Sequence, residues 1–366
     1  MSGPGGRQPA EGLTVPQVLG PAVGGIRAHV AALAPRLESR GVRAPVVGPP
    51  GVLGGLGTQR GVVDVPDRPA PLPLLRARRA LRPWTTDADV VHAHGLKAAA
   101  VVTTGRHRPP LVVTVHNVVL PDGGRVGPRI GSVAATAVLG RADRLVVPSS
   151  AVLEGLSPRL HQRCRIVTPV VNAPVVDRPA SEVRSAWGIP EDAPLVVSVA
   201  RLHRQKALGD LLEAWRRVAA ELPSARLVLV GDGPERSDLE RLAGPGVSFV
   251  GAVPDAADEL AAADLLVVSS LWEAVPLVLV EALALGVPVV STRVGIAPAV
   301  AATDPTVTVV DVGDVAGLGE AILARLRLGA SVLGAPVGDR TTPGLADWCD
   351  PDSLVDQVVE VYRELV

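Results

Sequence analysis

Ala263-Asp-Leu-Leu-Val-Val-Ser-Ser-Leu-Trp-Glu-Ala-Val-Pro-Leu-Val-Leu-Val-Glu-Ala-Leu-Ala-Leu-Gly-Val-Pro-Val-Val-Ser-Thr-Arg293 is the stretch whose reading decides the fold. Leu265 to Val268 is a short, wholly apolar run of the kind buried on both faces of a parallel sheet, and Val287 to Ser291 is a second, nearly apolar one. Between them the pattern predicts a helix over 277–285. Pro276 suits its first position, where a missing N–H costs nothing, and Gly286 followed by Pro288 is a stop signal. Every side chain in that helix except Glu281 is apolar, which predicts burial all round. A lone buried carboxylate is expensive unless something satisfies it. Glu273 falls in the turn that leaves the carboxyl end of the first strand, where open α/β sheets bind ligands. The helix start offers N–H groups and partial positive charge suited to phosphate, and carboxylates beside it would accept hydroxyl hydrogen bonds. That combination matches a sugar joined to a phosphate. The residues alone leave a plainer reading open, with Glu273 a helix-start acid and Glu281 a buried, salt-bridged one.

Outward from this stretch, 366 residues with 47% hydrophobic content can bury sizeable cores, and the length favours two domains. A formal net charge of -1 gives no case for nucleic acid as partner. No apolar run is long enough to span a bilayer, and the start is Gly, Pro and polar, so a cytoplasmic chain is expected. Cys164 and Cys349 lie far apart in no metal spacing and read as reduced thiols. Of 36 basic residues only Lys97 and Lys206 are lysine, so each marks a place where a compact ammonium is used instead of a planar guanidinium.

Residues 1–12 read as a disordered lead-in. Thr14 to Leu19, interrupted by Pro16, is a poorly written first strand. It is followed by Gly24-Gly25 and a helix from Ile26 to Ser39. Strand, glycine pair, helix is a phosphate-cradle layout, although the spacing is not the dinucleotide fingerprint. Strands are predicted at 44–47 and 62–65. Residues 72–84 set Leu72, Leu74, Leu75, Leu81 and Trp84 against Arg76, Arg78, Arg79 and Arg82. Such a basic amphipathic helix suits either a solvated surface or peripheral contact with an anionic membrane face. Asp89 to His94 is a strand with His92 and His94 on one face. A zinc pair there lacks further ligands at useful spacing, so His92 is expected to pack and His94 to look into the crevice. Asp87-Ala88-Asp89 precedes its strand and is read as a chance match to a metal motif. The strand Leu111 to Val115 ends in His116-Asn117, at the same carboxyl edge.

A boundary falls near Asp177 to Ala180, after which Leu195 to Ala200 opens a second sheet. Arg201 and Lys206 flank its strand-to-helix turn, an anion site with two added positive charges. Strands at 226–230 and 247–250, helices at 207–222, 237–242, 255–262 and 315–327, a strand at 306–310 and a last amphipathic helix at 351–365 complete a doubly wound α/β pattern.

Arg201-x4-Lys206 and Glu273-x7-Glu281, with Val-Ala-Arg-Leu, Val-Gly-Asp-Gly-Pro and Phe-Val-Gly in order between 195 and 295, resemble the retaining glycosyltransferase family 4, of the GT-B fold. The resemblance runs from about Gly20 to the end. It implies two facing Rossmann-like doubly wound parallel-sheet domains. Residues 1–178 would form the acceptor-side domain, 179–345 the nucleotide-sugar domain, and 346–366 a helix packing back on the first domain. It implies that Arg201 and Lys206 bind the donor diphosphate and steady the charge that builds on it. Glu281 would bind the ribose hydroxyls and Glu273 those of the transferred sugar, with the amides of Val275 and Leu277 beside them. The backbone at Val253 would read the base, His116 would stand near the sugar, and Gly24 and Gly25 would close over the phosphates. His94 and Asn117 fall on the acceptor side. The donor would be a UDP- or GDP-sugar and the acceptor a glycan, lipid or small molecule. Retention would proceed without a covalent intermediate, a cofactor or a metal. Lys206-Ala207 replaces the family's usual Lys-Gly, and Glu273-Ala-Val-Pro replaces a turn richer in Gly or Phe, which leaves the choice of donor open. A nucleotide-sugar epimerase or hydrolase of the same fold would need further carboxylates, and a non-catalytic nucleotide-sugar-binding protein would share the site without turnover. A nicotinamide dehydrogenase is disfavoured because no Gly-x-Gly-x-x-Gly follows a strand.

Overall fold

The computed structural model of the chain describes residues 12–21, 25–56, 59–67, 70–105, 108–116, 128–169, 172–328 and 350–366, with 128–132 as backbone only. They divide into two compact units, one reaching Asn172 and taking in the last helix, the other beginning at Ala173. The lead-in at 1–11, Gly24, Asn117 and Cys349 lie outside the described residues.

The first unit is built on a seven-stranded sheet among the described residues. Its strands are β1 (Gln17–Leu19), β2 (Val46–Gly48), β3 (Arg60–Val62), β4 (Val91–His94), β5 (Leu111–Thr114), β6 (Arg144–Val147) and β7 (Cys164–Ile166), in the order β3-β2-β1-β4-β5-β6-β7. The second unit has six: β8 (Leu195–Val199), β9 (Arg226–Val230), β10 (Val247–Gly251), β11 (Leu265–Val268), β12 (Val289–Thr292) and β13 (Val307–Val310), in the order β10-β9-β8-β11-β12-β13. Every pairing is parallel. Apolar runs such as Leu-Leu-Val-Val in β11 are buried throughout, because a parallel sheet is covered on both faces. In each sheet the order reverses once, between β1 and β4 and between β8 and β11. At such a reversal the flanking loops part and leave a crevice at the carboxyl ends.

Several expected boundaries move for local reasons. Pro16 has no N–H to give, so β1 begins only at Gln17. It is still a central strand, since the Pro16 carbonyl accepts from His92 N at 3.0 Å. The strand expected at 62–65 lies at 60–62, and Val63 and Val65 are core residues beyond its ladder. The Arg-rich helix, Pro71–Thr85, buries only part of the predicted apolar side, with Leu81 fully buried and Leu74 and Trp84 half-buried. It turns Ala77, Leu81 and Thr85 inward and leaves Leu72 and Leu75 exposed at 68% and 55% beside Arg76 and Arg79. Among the described residues no helix is long and apolar enough to cross a membrane.

The helix Pro351–Arg363 packs within the first unit. Its buried stripe of Leu354, Val355, Val358, Val359, Val361 and Tyr362 shares a core with Val15, Leu33, Leu37, Val90 and Val112. Each such side chain contributes about 1.5–3 kcal/mol by leaving water. Tyr362, the chain's one tyrosine, is fully buried, so its hydroxyl must find partners. It lies 2.7 Å from His92 Nδ1 and accepts from Gln17 Nε2 at 3.3 Å. Tyr362→Phe keeps the shape and leaves His92 Nδ1 without its partner in the core, while Gln17 Nε2 keeps the Val15 carbonyl at 2.9 Å. Urea unfolding should therefore show a loss of about 1–3 kcal/mol, whereas an unchanged midpoint would mean that the helix docks through apolar contact alone.

Candidate functional site

In the second unit the reversal of strand order brings two turns together, one leaving β8 and one leaving β11. The chain leaves β8 through Arg201 and a single 3-10 turn, Arg204–Lys206, before the helix Leu208–Glu221. Gly231 and Gly233 make this turn buildable. A Cβ on Gly231 would stand 1.8 Å from the Ala200 carbonyl oxygen, and one on Gly233 would stand 2.3 Å from that of Leu202. The Val-Gly-Asp-Gly-Pro motif is thus the floor under the Arg201 turn, tied to it by Leu202 N donating to the Asp232 carbonyl at 3.0 Å.

The turns after β8 and β11 are cross-linked. Leu271 N donates to the Gln205 carbonyl at 2.8 Å, Gln205 Nε2 to the Trp272 carbonyl at 2.8 Å, and Ser269 Oγ to the Lys206 carbonyl at 2.8 Å. Lys206 Nζ closes the set with an ion pair to Glu273 Oε1, which also accepts from Ser270 Oγ at 2.7 Å. Thr292 at the end of β12 donates to the Ser270 carbonyl at 2.6 Å, so a third strand end holds the same turn. Glu273 is 8% exposed and Lys206 half-buried. Arg201, by contrast, is exposed and has no side-chain partner among the described residues.

Residue 207 sits at φ 45°, the single non-glycine left-handed residue among those described. This is where the family usually places glycine, and alanine there costs about 1–2 kcal/mol. The strain fixes the exit from Lys206 into the helix at the candidate site.

The helix after β11 runs Leu277–Ala284 with Pro276 as its N-cap, one residue outside the first helical position expected for it. Burial is not all round either. Leu279, Val280, Ala282 and Leu283 face inward, and Leu277, Val278, Glu281 and Ala284 form a more open stripe at helical spacing. Glu281 therefore stands on the open side, with no ion pair among the described residues, contrary to the salt-bridged reading. Burial, and secondarily the charge of Asp255, raise its pKa above the ordinary glutamate range. Held above its unfolded value, Glu281 adds stability only at a pH low enough to protonate it. Its ionised form at neutral pH is a cost to the ligand-free protein. The amides of Val275 and Leu277 make no backbone hydrogen bond among the described residues and are the free donors of a helix start. Val253 is half-buried in the loop after β10.

In the first unit Gly25 is the first residue of the helix Gly25–Ser39. His94 does not look into an open crevice. It is 2% exposed, with Nε2 3.0 Å from Gln17 Oε1 and Nδ1 3.4 Å from His116 Nε2. His92 packs as expected, its Nε2 2.7 Å from Thr114 Oγ1, and burial pushes its pKa down to about 3. Burial likewise holds His94 and His116 well below the usual histidine range, so both are neutral at neutral pH. His29, from the helix Gly25–Ser39, completes a cluster with His94 and His116 that strand spacing alone does not disclose. Its sequence signal is a polar residue on the stripe Val30, Leu33 and Leu37. Ser270 and Gln17 were also silent in the sequence, the first as one of two serines in a turn, the second beside a proline.

Ala207→Gly relieves the left-handed strain. It should stabilise the protein by about 1 kcal/mol in urea unfolding, and a destabilised variant would mean that the alanine methyl group packs productively.

Residues 24–170 match the "Glycosyl transferase 4-like domain" and residues 193–327 match "Glycosyl transferases group 1". The chain is 33% identical over 308 residues to the D-inositol 3-phosphate glycosyltransferase of Mycobacterium tuberculosis (strain F11), covering 76% of this chain and 62% of that protein. It is 28% identical over 194 residues to the N-acetyl-alpha-D-glucosaminyl L-malate synthase of Bacillus anthracis, covering 52% and 50%. The matches thus span less than two thirds of either curated relative. In fold it is similar to HepE of Anabaena, solved in complex with UDP and glucose, with a TM-score of 0.79 at 19% identity over 95% of this chain and 99% of that one. It is also similar to WaaG, a glycosyltransferase involved in lipopolysaccharide biosynthesis, with a TM-score of 0.70 at 19% identity over 95% and 99%. With one domain match on each parallel-sheet unit and GT-B structures as its fold relatives, the chain belongs to glycosyltransferase family 4.

Proposed function

We propose that the chain is a retaining glycosyltransferase that moves a hexosyl-type group from a nucleoside diphosphate sugar to an acceptor hydroxyl, with no metal in the transfer itself. The observation that carries this reading is the Lys206–Glu273 pair at the β8/β11 reversal, beside an unpartnered Arg201 and a free helix start. An arriving diphosphate competes with Glu273 for Lys206 and engages Arg201. The Glu273 carboxylate, released from its ammonium, then accepts hydroxyls of the sugar. Glu281 on the open stripe takes the ribose hydroxyls, which supply the partners its carboxylate lacks, and the backbone at Val253 meets the base. As the bond from sugar to diphosphate breaks, the two cations offset charge on the leaving group. The new bond forms to the acceptor oxygen, and the acceptor proton passes to the departing diphosphate. His116 is assigned to the sugar by the family resemblance and by its place at the carboxyl end of β5. HepE, solved with UDP-glucose, supports a UDP-sugar as first donor to test. The names of the inositol phosphate and malate relatives support a small polar acceptor.

Nucleotide release from UDP-, GDP- and ADP-sugars, with and without candidate acceptors, tests the reading. One donor should be preferred, and Lys206→Ala should lower kcat/KM by about 10²–10³-fold. Glu281 must be ionised to accept two hydroxyls. Donor binding should therefore weaken as pH falls through its raised pKa, and Glu281→Gln should bind weakly with that pH dependence gone. Wild-type turnover in both variants would move the site elsewhere, and tight donor binding with no product in any screen would favour a binding protein.

A further inference from the structure

We propose that His29, His94 and His116 form a binding site for a divalent ion of the zinc class within the first unit. The three imidazoles come from separate elements: the helix Gly25–Ser39, the end of β4 and the second residue after β5. Their ring centroids stand 5.5, 5.4 and 5.6 Å apart, an almost equilateral triangle, and one ring nitrogen of each lies within 4.8 Å of the others. Tetrahedral coordination with metal–nitrogen bonds of about 2.0–2.1 Å sets ligand nitrogens about 3.4 Å apart and ring centroids about 5.2 Å apart. His94 Nδ1 and His116 Nε2 already stand at 3.4 Å, long for a hydrogen bond between them and right for two corners of a metal polyhedron.

The surroundings fix the tautomer that coordination needs. The Val15 carbonyl can only accept, so the amide nitrogen of Gln17 faces it at 2.9 Å, and the amide oxygen faces His94 Nε2 at 3.0 Å. His94 Nε2 therefore carries the proton and donates to Gln17, leaving the Nδ1 lone pair turned into the triangle. A ligand histidine held through its far nitrogen by a buried acceptor is the usual outer-shell arrangement of a metal site. Three imidazoles with no carboxylate in the cluster among the described residues select Zn²⁺, Co²⁺, Ni²⁺ or Cu²⁺ over Mg²⁺ and Ca²⁺. The fourth position is left to water.

Occupancy changes what His116 offers. Without the ion, His116 Nε2 must supply the proton between itself and His94 Nδ1, so its other nitrogen is an acceptor. With Nε2 on the metal, that other nitrogen carries the proton and becomes a donor. If His116 reads a sugar hydroxyl, as the proposed function has it, the ion changes the hydrogen bond His116 offers that hydroxyl without itself taking part in transfer. That consequence rests on the proposed function; the binding itself does not.

The test is titration of chelator-treated full-length chain with Zn²⁺ by calorimetry, and with Co²⁺ by the visible bands of a four-coordinate ion. One ion per chain is expected. His29→Gln and His94→Gln should each abolish uptake, and Gln17→Leu should weaken it by about 10–100-fold. Circular dichroism establishes that each variant is folded, and His29→Ala on the helix supplies the comparison if His94→Gln does not fold. Folded protein that takes up no Zn²⁺, or uptake that survives the loss of His29, overturns the proposal. Failure of the donor reading would appear instead in nucleotide binding, so the two are told apart.

Discussion

The structure depends on one constraint: the turns leaving β8 and β11 must be held edge to edge at the strand-order reversal of the second sheet. Sheet geometry alone would let them part, since no ladder hydrogen bond joins residues beyond the strand ends. Three hydrogen bonds through Gln205, Ser269 and Leu271 hold them, and the Lys206–Glu273 pair closes the set. Each element of the pair alone would be costly where it sits. The acid is nearly buried, and the lysine follows a turn that forces residue 207 into a left-handed conformation. Together they form a clamp, and in the proposed function a diphosphate opens it by offering the ammonium a stronger partner and leaving the acid for hydroxyls.

The second unit thus keeps strain and unpaired polarity in one place. Ala207 holds backbone strain, Glu281 a carboxylate with a raised pKa, Arg201 an unpartnered charge, and the start of the helix Leu277–Ala284 free amides. None of these favours the ligand-free fold, and all would be improved by a diphosphate with hydroxyl-bearing groups on either side. The first unit is arranged differently. Its polar groups at the carboxyl ends of β4 and β5 are buried, with Tyr362, Gln17 and His94 joined by hydrogen bonds and His116 3.4 Å from His94, so the last helix supplies one end of this chain.

Much of this was legible from residue order. Apolar four- and five-residue runs gave β8, β9, β11 and β12. The polar residues that follow them, Arg201, Lys206 and Glu273, were placed on ligand-side turns because a strand buried on both faces must shed its charges at its ends. Three things were not legible. Which face of the helix Leu277–Ala284 stays open depends on what covers it, and composition suggested burial all round. The histidine cluster joins residues 65 and 87 positions from His29, so spacing along one strand could not reveal it. The inward face of the Arg-rich helix was legible only at Leu81, because Ala77 and Thr85, poor hydrophobic markers, share that face while Leu72 and Leu75 stay exposed.

The central claim is that the second unit's crevice receives a nucleoside diphosphate group. Hydrogen exchange of the full chain, with and without UDP and GDP, addresses it most directly, because the free amides and the two turns are themselves the reporters. The account predicts slowed exchange confined to residues 200–208, 231–236, 252–255 and 270–281. Protection that falls elsewhere, or none at nucleotide concentrations that saturate binding, would contradict it.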